Sequence, residues 1–472
     1  MIRENKTHDE LAVGDHAELT RLCTADDLYV FAHASGNHSP LHLPELDGDG
    51  DGQPEAVAPS LWVGSLISAV LGNILPGPGT LYHSQSFNFR DRAHAGDELR
   101  VSVRVTGKEA GRLVRLDTRV ERVSDGRLIL DGEARVFAPE RKLRFDDVDL
   151  PGLLVQRHVH FDRMVRRAGP LAPIPTAVVA PEEPNSLGGA LLAAEETLIA
   201  PLLIGDPARI RAAAEALGKD ISGHELIAAR THAEAAALAV ALVHEGRARA
   251  LMKGHLHTDE LLAAVLRRDG GLRTGRRLTH VFVMDVPGLP SPLLISDAAI
   301  NIAPDLETKV DIVQNAIDLA LSIGIDEPKV GILSAVETVN LKIPSSIDAA
   351  ILSKMAERGQ IRGGLVDGPL AMDNAIDLDA ARTKGIKSLV AGRAEVLVVP
   401  NLDSGNMLAK ELTFIAHAEG AGVVMGAQVP IILTSRSDGD EARLASCAVA
   451  ALHQARLSGE LPAPEPETRA AE

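Results

Sequence analysis

The sequence predicts two domains, an α+β domain with an antiparallel sheet followed by an α/β domain with a mostly parallel sheet. Three observations lead to this prediction. With 472 residues, the chain exceeds what one hydrophobic core usually organises. Apolar and polar residues alternate over residues 99–106 and 114–120, as in strands with one solvated face. After about residue 169, short apolar strands alternate with helices, which indicates a parallel sheet covered by helices.

The first domain is predicted to be one helix wrapped by an antiparallel meander. Residues 61–75 form a longer apolar block, typical of a buried helix. Turns at residues 109–111 and 125–126 join the alternating strands. We place this domain at residues 10–142 and a linker at residues 143–158.

The second domain is predicted to span residues 159–462, and residues 161–167 already have helical character. The tail at residues 463–472 is polar and contains prolines, which predicts disorder. The candidate strands are short apolar runs, at residues 177–180, 202–205, 250–253, 280–286, 330–334, 396–399 and 431–434.

Charge, apolar runs and cysteine content exclude several kinds of binding partner and site. A net charge of -17 argues against nucleic acid or an anionic membrane as the main partner, although local basic pockets still bind phosphates. No apolar run reaches the length of a membrane span, and the first residues contain no apolar signal segment. Only Cys23 and Cys447 occur, which excludes a disulfide framework and a thiolate metal site. We therefore expect a cytoplasmic protein.

The most informative segment is PIILTSRSDGDEAR, residues 430–443, where an apolar strand runs into a hydroxyl, a guanidinium and carboxylates. Arg436 offers a planar fork of donors for two phosphate oxygens, and Ser435 adds a neighbouring hydroxyl. Candidate proton acceptors follow at Asp438, Asp440 and Glu441. A solvated helix N-cap would give the same local pattern, so support must come from other segments.

Other segments also place polar residues at the ends of apolar runs. The run LMKGHLHT ends a strand and starts a helix, where an ammonium and backbone N–H groups suit an anion. Turn-forming residues recur at positions 275–277, 296–298, 367–369 and 400–406, and strand ends of this kind build clefts. The residues that we assign to substrate binding are Lys253, His257, Thr258, Arg276, Asn401 and Asn406.

Together, LMKG, ISDAAINIAPD and TSRSD resemble the phosphate acetyl/butyryltransferase family over about residues 161–452, closer to its butyryl-type branch. The resemblance implies two α/β subdomains around a cleft, similar to the isocitrate dehydrogenase-like architecture. It also implies exchange of CoA for orthophosphate on an acyl group. Arg436 would then hold phosphate, and Ser435 would contact the thioester. The family's base lies a few residues further on, where a strict count lands on Ala442 and leaves the three acidic residues open.

In the first domain, FAHASGNHSPLH at residues 31–42 and the helix that follows resemble the MaoC-like (R)-specific enoyl-CoA hydratases over about residues 11–138. That resemblance implies a hot dog fold. The family uses an aspartate after a Ser-Gly pair and a histidine five residues later; His42 matches the histidine, but Asn37 occupies the aspartate position. An amide cannot accept a proton at neutral pH, so we expect impaired hydration. If hydration is impaired, the first domain would instead bind acyl-CoA weakly or mainly form a dimer.

We expect no metal and no permanently bound cofactor. DGDGDG at residues 47–52 imitates half an EF-hand loop, but Ala58 stands at position twelve, so we interpret this segment as a solvated insertion. The pairing of domains resembles bifunctional enoyl-CoA hydratase/phosphate acetyltransferases and implies a homodimer or larger homo-oligomer. CoA or acyl-CoA and phosphate would be substrates. A non-catalytic acyl-CoA sensor stays open; an oxidoreductase lacks a nicotinamide-binding motif.

Overall fold

Residues 2–146, 155, 158–433 and 439–461 are described in the computed structural model, and the chain divides into two units, Met1–Val155 and Gln156–Glu472. Each unit has its own hydrophobic core. The first core collects residues from Leu11 to Ala138, and the cores of the second unit collect residues from Phe161 to Ala455.

The strands in which apolar and polar residues alternate form the antiparallel sheet of the first unit. The strand order is β2-β5-β6-β7-β3, all antiparallel, and β4 also pairs with β7. β1 pairs with β8, and this pair lies outside the predicted domain limits of residues 10 and 142. The elements of this unit are β1 (Ile2–Glu4), β2 (His16–Leu22), α1 (Ala25–Ser35), α2 (Ser60–Asn73), β3 (Leu81–Gln85), β4 (Asn88–Phe89), β5 (Glu98–Lys108), β6 (Leu113–Arg122), β7 (Leu128–Phe137) and β8 (Arg144–Asp146).

Helix α2 supplies the centre of this unit, as its apolar block predicts. Ile67 and Val70 are fully buried, and the helix packs against β2, β5 and β6. The inward-facing Val101 and Val103 of β5 are also buried, while Arg100 and Arg104 on either side of them are exposed. Period-two alternation therefore places one face of the sheet on the helix.

The second unit contains an eleven-stranded sheet, in the order β11-β10-β9-β12-β19-β18-β13-β14-β17-β15-β16. Its strands are β9 (Ile174–Val179), β10 (Ile199–Gly205), β11 (Glu225–Ala228), β12 (Ala250–Lys253), β13 (Thr279–Asp285), β14 (Leu293–Ser296), β15 (Lys329–Leu333), β16 (Leu365–Leu370), β17 (Val396–Val398), β18 (Glu419–Met425) and β19 (Ile431–Ile432).

Helices connect most of these strands, and the predicted helical stretch at residues 161–167 is the start of them. They are α3 (Val159–Ala168), α4 (Pro184–Glu195), α5 (Pro207–Leu217), α6 (His232–His244), α7 (Thr258–Val265), α8 (Leu306–Ser322), α9 (Pro344–Glu357), α10 (Met372–Ile376), α11 (Leu378–Thr383), α12 (Leu402–Phe414) and α13 (Asp440–Ser458). In the part of the chain that is described, none of the helices has the length and apolar character needed to cross a bilayer.

Strand direction divides this sheet into two parallel groups. β11, β10, β9, β12 and β19 run in one direction. β18 and β13 are antiparallel to their neighbours, so β14, β17, β15 and β16 run the opposite way to the first group. The carboxyl ends of the two groups consequently lie at opposite ends of the strands. The prediction of a mostly parallel α/β sheet is confirmed.

Candidate active site

The Ser-Arg segment lies between a strand and a helix that are both described. Ser435, Arg436 and Asp438 themselves lie outside the described residues. β19 precedes them, and Gly439 caps α13, which begins at Asp440. Asp440 and Glu441 occupy the first turn of α13 and are exposed. A helix start favours negative charge, so these carboxylates complement the helix dipole.

Lys253 ends the strand next to β19. β12 and β19 pair in parallel, with Leu251 opposite Ile431 and Met252 opposite Ile432. Because parallel neighbours end at the same edge of a sheet, Lys253 and the segment after Ile432 leave the sheet side by side. Lys253 is only 8% exposed, and its ammonium donates to the carbonyl oxygens of Gly254 (3.3 Å) and Leu256 (3.4 Å). The buried ammonium group of Lys253 therefore lies at this edge of the sheet.

The loop after Lys253 is tied to the neighbouring strand. The N–H of Gly254 donates to the carbonyl of Val179, at the end of β9. His257 is exposed and caps α7, but its N–H donates to the Glu260 carboxylate at 3.1 Å, so this donor is already occupied. Thr258 is the half-buried first residue of the helix. An anion role for His257 and Thr258 remains a prediction.

Four titratable residues that our sequence analysis missed lie at the same edge. His255 Nδ1 is 2.9 Å from a Glu183 oxygen, and His232 Nε2 is 3.5 Å from Glu182. The buried Glu182 also pairs with Arg209. All of them follow strands of the first parallel group, and the Pro-Glu-Glu-Pro turn after β9 was the available sequence signal.

A cavity of about 530 Å³ opens beside the start of α13. It runs along α4 to the end of α5, and Asp440 joins its lining from the start of α13. Pockets that bind small molecules are typically about this size. The lining residues are Pro184, Asn185, Gly188, Leu192, Glu195, Leu217, Lys219 and Asp440.

Three other predicted binding residues lie at the opposite end of the strands. Arg276 precedes β13 and pairs with Asp318 of α8. Asn401 follows β17 and caps α12, accepting from the N–H of Ser404 at 3.0 Å. Asn406 donates to the carbonyl oxygen of Ala298 at 3.4 Å. The described structure therefore does not bring Arg276, Asn401 or Asn406 to the edge that holds Lys253.

In the first unit, Asn37 and His42 flank one turn. Gly36 ends α1 with a φ of 73°, a left-handed conformation that favours glycine. Asn37 is exposed, and its Oδ1 accepts from the N–H of Ser39 at 3.3 Å. His42 Nδ1 lies 2.8 Å from the Val57 carbonyl oxygen. A carbonyl only accepts, so Nδ1 carries the hydrogen, and in the neutral ring Nε2 is the nitrogen with the lone pair.

The acidic insertion forms an exposed cluster. Oxygen atoms of Asp47, Asp49, Asp51 and Glu55 lie within 4.8 Å of one another. Backbone N–H groups of the same loop donate hydrogen bonds to these carboxylates; the N–H of Gly52, for example, donates to Asp47 Oδ2 at 2.7 Å. These hydrogen bonds lower the pKa of Asp47. A loop that satisfies its own carboxylates needs no ion to be ordered.

Comparison with known proteins assigns the second unit. Residues 227–451 match the family described as phosphate acetyl/butaryl transferase. A phosphate acetyltransferase of Rhizobium meliloti is 60% identical over 296 residues, which cover 63% of this chain and 94% of that protein. A branched-chain phosphotransacylase from Enterococcus faecalis is 32% identical, with a TM-score of 0.52, over 59% of this chain and 98% of that structure.

An R-hydratase from Pseudomonas aeruginosa is also similar, with 36% identity over 33% of this chain and all of that structure, at a TM-score of 0.32. The assignment of the second unit is independent of this match. It rests on the identity and near-complete coverage of the Rhizobium enzyme, together with an α/β fold shared with the Enterococcus structure. The chain belongs to the phosphate acetyl/butyryltransferase family and is an acyltransferase.

Proposed function

We propose that the second unit exchanges CoA and orthophosphate on a short acyl group, so that acyl-CoA and phosphate give acyl phosphate and CoA. The observation that carries this proposal is the parallel pairing of β12 with β19. It puts the end of β12, with the buried Lys253, beside the end of β19, from which the chain continues into the segment with Ser435 and Arg436. Asp440, which follows that segment, lines the cavity.

The chemistry assigns a role to each group. Arg436 would hold the phosphate through its planar fork, and Lys253 would add positive potential. Ser435 would donate to the oxygen of the reacting acyl group, where negative charge develops. In the direction of CoA consumption, a carboxylate among Asp438, Asp440 and Glu441 would accept the thiol proton. No metal or nucleotide cofactor takes part in this scheme.

We expect Arg436→Ala to lose at least about 100-fold in phosphate-dependent release of CoA, because one charge-stabilising donor typically contributes this much. The release is measured with acetyl-CoA and with butyryl-CoA, since the resemblance favours butyryl and the Rhizobium relative is named an acetyltransferase. The faster substrate then defines the acyl length.

Arg382→Ala is the matched control, because Arg382 is exposed on α11 and pairs only with Asp379 among the described residues. It should keep the wild-type rate. Full activity in Arg436→Ala would remove Arg436 from phosphate binding. Wild-type protein that binds acyl-CoA but releases no CoA would instead indicate the alternative, a non-catalytic acyl-CoA sensor.

For the first unit, we propose a MaoC-like hot dog domain that binds acyl-CoA with impaired hydratase activity. Support comes from α2 wrapped by an antiparallel sheet and from Asn37 in the position of the family's base. The alternative is a fully bifunctional enzyme, in which His42 or His38 suffices for hydration. Both units would then act on CoA esters, in a homodimer or larger homo-oligomer in the cytoplasm.

A further inference from the structure

Three acidic side chains meet where β13 ends and β18 begins. Asp285 and Glu419 are opposite each other in the antiparallel register, so their side chains lie on the same face of the sheet. Glu441, in the first turn of α13, lies beside Glu419. Oxygen atoms of Glu419 and Glu441 and a ring nitrogen of His158 all lie within 4.8 Å of one another.

His158 is held with one nitrogen toward this pair. Its Nε2 lies 2.9 Å from the carbonyl oxygen of His417, so Nε2 carries a hydrogen. Its Nδ1 lies 3.7 Å from Glu419. The backbone therefore orients the ring, and the ring in turn contacts the carboxylate.

Two carboxylates this close repel each other when both are ionised, which favours a proton shared between them. Burial raises the pKa of Glu419 to about 7, where the His158 charge opposes the rise and the Glu441 and Asp285 carboxylates add to it. Asp285 is 0% exposed, and burial raises its pKa as well. Its Oδ2 accepts two backbone N–H groups, while Oδ1 has no hydrogen-bond partner among the described residues. The electrostatic potential around these three carboxylates is therefore strongly negative.

We propose that Glu419 and Glu441 form one proton-accepting pair for the CoA thiol, in which Glu441 meets the thiol and Glu419 acts through Glu441. This inference rests on the proposed function of the Ser435 and Arg436 segment. Glu441 follows Arg436 by five residues and begins the helix into which that segment leads. Glu419 is 22 positions earlier in the chain, on a neighbouring strand.

The ionised pair takes the proton from the CoA S–H group, and the resulting thiolate attacks the acyl carbon of the acyl phosphate. The C–S bond forms as the bond from carbon to the phosphate oxygen breaks, and phosphate leaves with that electron pair. The pair then releases its proton to solvent.

The pair gives the reaction a specific pH dependence. Below about pH 7 the shared proton is present and the pair cannot accept another, whereas above it the pair is ionised and competent. The rate of CoA consumption should therefore rise as pH increases through about 7. A base with a pKa near the working pH is also the most effective one. The CoA thiol itself ionises at about 8.5 and adds a separate, higher step.

The test is kcat for CoA and acetyl phosphate as a function of pH. In Glu419→Gln, Glu441 stands alone, so the step near neutrality should move toward the ordinary carboxyl value of about 4.3. Because the remaining base is weaker, kcat at pH 8 should fall about tenfold. Glu441→Gln should lose about 100-fold or more. Glu419→Asp should restore the neutral step, which distinguishes pairing from a structural contribution.

Glu357→Gln is the control for removing a surface carboxylate, and it should change neither rate nor profile. An unshifted profile in Glu419→Gln would overturn the pair, as would loss of the neutral step in Asp440→Asn. EDTA should leave the wild-type rate unchanged; loss with EDTA and recovery with Mn²⁺ would show that a cation joins the carboxylates. Wild-type protein without any CoA consumption would contradict the proposed reaction itself, before the pair is tested.

Discussion

At the scale of single residues, the two units differ in whether a proton acceptor is present. Asn37 has an amide at the position where the hydratase resemblance requires a carboxylate, and its Oδ1 already accepts from Ser39. The Val57 carbonyl fixes a hydrogen on Nδ1 of His42, so in the neutral ring the lone pair is on Nε2. One substitution should therefore decide the activity of the first unit.

We expect Asn37→Asp to increase hydration of crotonyl-CoA by about 100-fold or more, because a positioned general base typically contributes that much. The measurement is the loss of the enoyl thioester absorbance. Adding His42→Ala should abolish the gain. Gln53→Glu, which adds the same charge to an exposed loop, should have no effect. Ordinary enzymatic rates in the wild-type protein would contradict the impaired-hydratase proposal.

At the scale of elements, α13 both starts at the candidate site and anchors the core of the second unit. It packs against α3, α4, α8 and β18. Cys447 and Leu452 are fully buried, and burial raises the pKa of the Cys447 thiol to about 12, which makes it a packing residue and not a nucleophile. Core packing of α13 therefore fixes the position of Glu441.

Leu452→Ala should lower the stability of the second unit by about 2–5 kcal/mol, the usual effect of removing a buried leucine side chain. Leu457→Ala makes the same change on the same helix at a residue that is 58% exposed, and it should stay within about 0.5 kcal/mol of wild type. Thermal unfolding followed by circular dichroism measures both. Equal effects would contradict the core assignment of α13.

At the scale of the whole molecule, the two units have separate cores and separate sheets. The hydrophobic free energy that stabilises each unit comes from surface buried within that unit, since no described core cluster contains residues of both. Independent folding of the second unit is the expected consequence.

A fragment of residues 156–472 should fold and keep the full rate of CoA exchange. It should not hydrate crotonyl-CoA, whereas the full-length Asn37→Asp variant should. Circular dichroism and the CoA release assay are the measurements. The same fragment with Arg436→Ala should be folded and inactive. A folded wild-type fragment without exchange would show that transfer needs the first unit.

The sequence by itself determined the two-domain organisation, because periodicities of 2 and 3.6 are local properties of the chain. It identified six of the second unit's candidate strands within a few residues, as well as the start of α3; the seventh candidate runs past Ile432 into the undescribed Thr434. It missed β11, β14, β16 and β18, which are short or contain glycine or proline. The Ser-Arg motif was also local, and it led to the family that the comparisons confirm.

Only the tertiary structure decided which strand ends meet. The sequence pattern groups Arg276 and Asn401 with Lys253, but the antiparallel β18 and β13 reverse the second group of strands and put those residues at the opposite end. The contact of Glu419 with Glu441 likewise depends on the packing of α13 against β18. Strand order and direction follow from long-range pairing and burial, which no local pattern of residues records.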